Sequence, residues 1–169
     1  MIRTYWDVLL GSMIHDISAL AGLFGAPSEV LFSEIWDAGQ AFTTHLRYGD
    51  AARAVVTWTF LDHLRHYDEE IGVMSESMRV RIRFPSPYLR NMPTPVVIEG
   101  MEGAANWIKT VTVSYEEAFK EELRHFYHCV TERVRPETDG EAGRQDIITA
   151  LDIYDAYARR AGLQLARRA

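Results

Sequence analysis

The chain has 169 residues, 47% of them hydrophobic and 25% charged, with a formal net charge of −6. That length suffices for one ordinary domain with a real core, and the acidic balance argues against a general nucleic-acid binder, which needs a basic field to attract phosphate. No run approaches the roughly 18 apolar residues of a membrane span, and the opening MIRTYWDVLLG lacks the apolar core and cleavage site of a signal peptide, so the expectation is a cytoplasmic protein.

Thr4 with Asp7 three residues on predicts a cap for a first helix that runs to about Phe24. Within it Leu10, Met13, Ile14, Ile17, Leu20, Ala21 and Phe24 recur at three- and four-residue steps. Such spacing lays an apolar stripe along one face, so the helix should pack against later elements of the chain. Gly22, Gly25 and Pro27 end it, since glycine takes left-handed caps and proline cannot continue the hydrogen-bond ladder. His15 and Asp16 sit inside this helix as a titratable pair beside the apolar face.

From Ser28 the period changes from helical to alternating. Over Ser28 to Trp36 it sets Val30, Phe32 and Trp36 on one face and Leu31, Ser33 and Ile35 on the other. Gln40 to Tyr48 and Ala52 to Leu61 are two β-prone runs joined at Gly49-Asp50, which reads as an antiparallel hairpin. His66 to Met74 and Met78 to Phe84 form a second hairpin, where Val80, Ile82 and Phe84 alternate with Arg79, Arg81 and Arg83, as in a strand with one wet side. PSPYLRNMPTP should be irregular because its prolines remove donors. Pro95 to Glu99 and Trp107 to Ser114 then resume the β pattern around a loop holding Gly100 and Gly103.

Two helices close the chain. Ser114 with Glu117 predicts a capping box ahead of the stripe Phe119, Leu123, Phe126, Val130 and Val134. Thr138 with Glu141 predicts another, ahead of a helix lined by Ile147, Ile148, Leu151, Tyr154, Ala158 and Ala161. Arg159, Arg160, Arg167 and Arg168 gather at the far end, where cations offset a helix dipole. The fold class is therefore α+β: an N-terminal helix, a mostly antiparallel open sheet of about six strands, and two C-terminal helices packed on one face. The whole chain, 1–169, reads as a single domain.

Chemistry has few carriers. GxGxxG after a strand, GxxxxGK[ST], GxSxG and HExxH are all missing from the sequence, so a nucleotide pocket built on a glycine loop is unsupported. The only lysines are Lys109 and Lys120. The single cysteine, Cys129, excludes an internal disulfide and a multi-cysteine zinc site, and its place in a helical pattern makes it a packing residue. His125 and His128 share a helix face at i, i+3 near Glu121, Glu122 and Glu132, but two ligands make no metal site, and a solvated polar face explains them. His63 and His66 fall where one strand gives way to the next, and nothing selects them. His15 is the best candidate for acid–base work, because imidazole titrates near neutral pH. Asp16 is the weaker candidate: neighbours on a helix point about 100° apart, so it is poorly placed to orient His15.

The stretch LLGSMIHDISALAGLFGAPSEV resembles the helix that opens the C-terminal domain in the glucose–fructose oxidoreductase and inositol dehydrogenase (Gfo/Idh/MocA) family. The resemblance continues through the hairpin at Tyr48-Gly49-Asp50, through RVRIRFPSPYLRNMPTPVVI, and into EAFKEELRHFYHCV and GRQDIITALDIYDAYAR. It implies the substrate and oligomerisation domain of an NAD- or NADP-dependent enzyme acting on sugars or polyols. In that family a separate N-terminal domain binds the nucleotide, and an open sheet contributes to oligomer contacts. The resemblance makes His15 the proton-transfer residue. It also implies that the chain alone binds no cofactor and is inactive, NAD or NADP coming only with an N-terminal nucleotide domain. The departures are specific: Gly11 stands where the family often has an aspartate four residues before the histidine, and Ser18 stands where another is common. Two other readings stay open. One is a non-catalytic module that self-assembles through its sheet face into a homo-oligomer; the other is a cone-shaped hydratase or isomerase using His15 and Asp16 in an internal pocket.

Overall fold

Residues 4–64 and 66–163 are described by the structure, a computed structural model. Seven strands and three α-helices follow in the order α1 (Ile14–Phe24), β1 (Glu29–Trp36), β2 (Ala41–Tyr48), β3 (Ala52–Thr59), β4 (Glu69–Met74), β5 (Met78–Phe84), β6 (Val96–Glu102), β7 (Ala105–Val111), α2 (Ala118–Glu132) and α3 (Gly140–Arg160). All strand pairs are antiparallel, so the α+β class holds. The strands form two ladders rather than one, β1-β2-β3 and β4-β5-β6-β7. The chain divides into two compact units to match: one runs to His63 and resumes at Glu137, and the other is Leu64–Pro136.

The first unit holds the buried core. β2 is its centre, with Phe42, Thr44, Leu46 and Tyr48 buried on one face. The cross-strand partners on that face are Trp58, Val56, Ala54 and Ala52 of β3. Met13 at the N-cap of α1, Ile17 and Leu20 within it, and Ala150 and Ile153 of α3 join Phe42 and Leu46 in one apolar cluster. α3 packs along β1 and against α1, and its last turn is tied down by Arg160, whose guanidinium lies 4.4 Å from the Phe32 ring centroid and 3.3 Å from Glu34 Oε1. The two C-terminal helices are thus divided: α3 covers the first sheet, whereas α2 belongs to the second unit.

Several local expectations are corrected. The first helix is not continuous from Thr4: a π-helical turn, Thr4–Leu9, precedes α1, and Met13 N–H donates back five residues to Val8 C=O at 2.8 Å. Val30 does not share a face with Phe32. The pairing of β1 with β2 slips between them, so the extra residue Leu31 forms a bulge and Val30 joins Ser33 and Ile35 on the core side. The Ser114–Glu117 box does not form: Glu117 is the N-cap of α2 with no side-chain cap bond, and Ser114 Oγ accepts from Glu116 N–H in a turn before it. On α3 the cap is Asp139, one residue past Thr138, accepting from the amides of Glu141 and Ala142 at 3.1 and 3.0 Å. Arg159 and Arg160 do end α3; Arg167 and Arg168 lie outside the described residues.

In the second unit the alternation expected for β5 is realised. Val80 pairs with Val73 and Ile98, and Ile82 with Ile71 and Val96, on one face. Arg79, Arg81 and Arg83 line the other, paired with Glu99, Glu70 and Asp68. Gly100 is the buried residue of β6, opposite Trp107 of β7.

Candidate functional site

His15 stands on the second residue of α1, and the helix places it by burying its other side. Ile17 lies about 200° from His15 around the helix and is buried with Met13 and Leu20, so His15 is turned to solvent, where it is exposed. This separates it from the internal pocket that the hydratase or isomerase reading requires. Asp16, next along the helix, is half-buried. Burial raises its carboxyl above the ordinary value, and a backbone hydrogen bond and the His15 charge partly offset that rise. The two side chains therefore meet as electrostatic neighbours, with the imidazole in water and the carboxyl at the edge of the core.

The entry into α1 depends on Gly11. A Cβ there would lie 2.7 Å from Asp7 C=O, closer than real Cβ contacts reach, and the obstacle is backbone that no rotamer change can move. Any side chain at this position would therefore force the backbone of the π-helical turn to shift. Ser12, the next residue, accepts the indole N–H of Trp58 on β3 at 3.1 Å, which pins the start of α1 to the sheet. At the other end Gly25, at φ 78°, caps the helix and donates to Ala21 C=O, and the Phe24 ring lies 5.4 Å from that of Tyr48. Ser18 is half-buried.

The other histidines are scattered. His63 and His66 are exposed in the loop ahead of β4. On α2, His128 pairs with Glu132 at 2.9 Å, and His125 Nε2 lies 3.5 Å from Cys129 Sγ. Among the described residues no three histidine, cysteine or carboxylate side chains group to hold a metal ion, and no helix is long and apolar enough to cross a membrane. An open cavity of about 460 Å³ lies at the hairpin end of the second sheet, lined by Met74, Arg79, Glu99, Met101, Trp107 and Ile108 among others. No residue of α1 lines it.

Sequence reasoning misses a set of buried polar groups in the first unit: Ser33, Thr44, Asp146 and Thr149. Thr44 and Thr149 donate to the carbonyls of Phe32 and Gln145, while Ser33 Oγ has no partner. Asp146 had a signal. It falls at the i−3, i−4 and i−7 positions to Thr149, Ala150 and Ile153, so the helical period alone carries it onto the buried face of α3.

This fold is that of one half of a class of oxidoreductases, those of the Gfo/Idh/MocA type. Among them, UDP-N-acetylglucosamine 3-dehydrogenase GnnA from Acidithiobacillus ferrooxidans superposes with a TM-score of 0.72 at 18% identity, over 90% of this chain and 48% of its own. The aldose-aldose oxidoreductase from Caulobacter crescentus, complexed with glycerol, gives 0.65 at 16% over 88% and 44%. KijD10, a 3-ketoreductase from Actinomadura kijaniata in complex with TDP-benzene and NADP, gives 0.62 at 20% over 92% and 47%. The chain spans about half the length of these solved structures, and at such identities the likeness is one of fold. No protein-family profile and no curated protein sequence matches the chain.

Proposed function

We propose that this chain is the substrate-side half of an NAD(P)-dependent oxidoreductase acting on a sugar or polyol hydroxyl, in the cytoplasm, with His15 as its proton-transfer residue. The observation that carries the reading is the shared fold over about nine-tenths of this chain and half of each oxidoreductase. The described residues do not themselves fit a dinucleotide. Both sheets are wholly antiparallel, whereas the glycine-loop sites for pyrophosphate are built between parallel strands and a helix N-terminus. The best-formed helix start, that of α3, already has the Asp139 carboxylate on its amides. In this reading the nucleotide and the hydride chemistry it supplies come from a separate domain.

What this chain contributes is one proton. The His15 imidazole is exposed, and a neutral imidazole accepts a proton at one ring nitrogen and donates one from the other. It can take the hydroxyl proton of a polyol during oxidation and return it to the carbonyl oxygen during reduction.

The reading is tested in a polypeptide that joins this chain to a dinucleotide-binding domain. His15→Asn should cut kcat by about 10²- to 10⁴-fold and leave the binding of the nucleotide unchanged. A rate equal to that of the unaltered enzyme would reduce His15 to a surface residue and refute its role.

A second reading, a self-assembling module without chemistry, draws on the second sheet. Ile71, Val73, Val80, Ile82 and Ile98 share one face, each only half-buried, and among the described residues of that unit no large apolar side chain is fully buried. Pairing of that open face with a copy of itself would complete it; a strictly monomeric chain in sedimentation would remove this reading.

A further inference from the structure

α2 carries its amphipathic pattern inside out. Across its fifteen residues none is buried, and the only half-buried positions are His125 and Cys129. The apolar stripe is the exposed side: Phe119, Leu123, Phe126 and Val130 are 51%, 69%, 66% and 62% accessible. With about 200 Å² for an aromatic side chain and somewhat less for leucine or valine, these fractions leave on the order of 400 Å² of apolar surface. Tyr127, beside the stripe, and Tyr88, whose ring lies 6.1 Å from that of Phe119, raise the patch to about 700 Å². Monomers seldom leave more than about 300–600 Å² in one patch, and a standard interface covers about 800 Å² per partner.

Spacing and charge both indicate what covers it. Phe119, Leu123, Phe126 and Val130 follow a four-three-four step, the seam of a two-helix coiled coil. Acidic residues crowd the start of the helix (Glu116, Glu117, Glu121 and Glu122), and Arg133 and Arg135 come after its end. An antiparallel second copy would bring each acidic end beside the other's basic end and oppose the helix dipoles. One register then serves both apolar layers: Phe119 faces Val130 of the copy, and Leu123 faces Phe126. Lys120 and Arg124 already pair along their own chain with Glu116 and Glu121.

We infer that the exposed stripe of α2 is a self-recognition surface, on which two copies of this chain pair antiparallel, α2 against α2. This contact is separate from any pairing through the sheet face and does not require an enzyme. The test is sedimentation of the full chain and of two variants, Leu123→Lys and Phe126→Glu, whose positions face each other in the paired helices. Both side chains are more than half exposed, and circular dichroism verifies that each variant remains folded. Each variant alone should show half the mass of the unaltered chain. An equimolar mixture should recover the full mass, because the mixed pair sets lysine against glutamate in one layer and restores Leu123 against Phe126 in the other. An unaltered chain that is monomeric, variants with undiminished mass, or a mixture that stays at half mass each overturns the proposal.

Discussion

Gly100 offers the sharpest test of packing in the second sheet. A Cβ built there would lie 2.4 Å from Cζ2 and 2.6 Å from Cε2 of Trp107, the residue directly across the β6–β7 ladder. Carbon atoms settle at about 3.5–4.0 Å, so Gly100→Ala must drive the indole back by more than about 1 Å. Inserting a methyl into a packed site costs about 1–3 kcal/mol. Trp107 lies on an edge strand and is only half-buried, so the ring has room to turn, and the lower half of that range is expected. The backbone itself is no obstacle, since Gly100 is not among the residues of positive φ. Urea unfolding of Gly100→Ala, Trp107→Ala and the double variant separates the causes. With the indole removed, the alanine should cost nothing or stabilise slightly, because it reduces the freedom of the unfolded chain, giving a coupling energy of about 1–2 kcal/mol. An equal cost in both backgrounds would show that the strand, and not the indole, requires glycine, and the packing argument would fail.

Two further outcomes are set by local geometry. Asp139→Ala should lower stability by about 1 kcal/mol by removing the acceptor for two helix-end amides of α3, while Thr138→Ala should leave it unchanged; denaturant unfolding of the pair decides which residue is the cap. Asp16→Asn should stabilise the protein at neutral pH, because burial raises the folded carboxyl above its ordinary 3.8 and the charged form is penalised in the folded state. That gain should shrink as pH falls through the raised value and vanish below about 4, where Asp16 is protonated in both states; a gain that persists there in melting experiments would show that the variant acts through something other than charge.

Periodicity alone determined much of this protein. The helical step around α1 named Met13, Ile17 and Leu20, which are buried. Alternation in β5 sorted three arginines from Val80, Ile82 and Phe84, and Gly49-Asp50 marked the turn between β2 and β3. These features depend on residues a few positions apart, where side-chain direction is fixed by backbone geometry. What the pattern could not carry was set by partners distant in sequence. The bulge at Leu31 exists only against β2 and reverses the face of Val30. Gly11 is demanded by a carbonyl in a π-helical turn that no simple helical period describes. The division of the strands into two ladders, and the exposure of a stripe on α2 that any helical wheel would assign to a core, were decided by which segments pair and pack. A hydrophobic pattern specifies that a face must be covered, and only tertiary contacts specify by what.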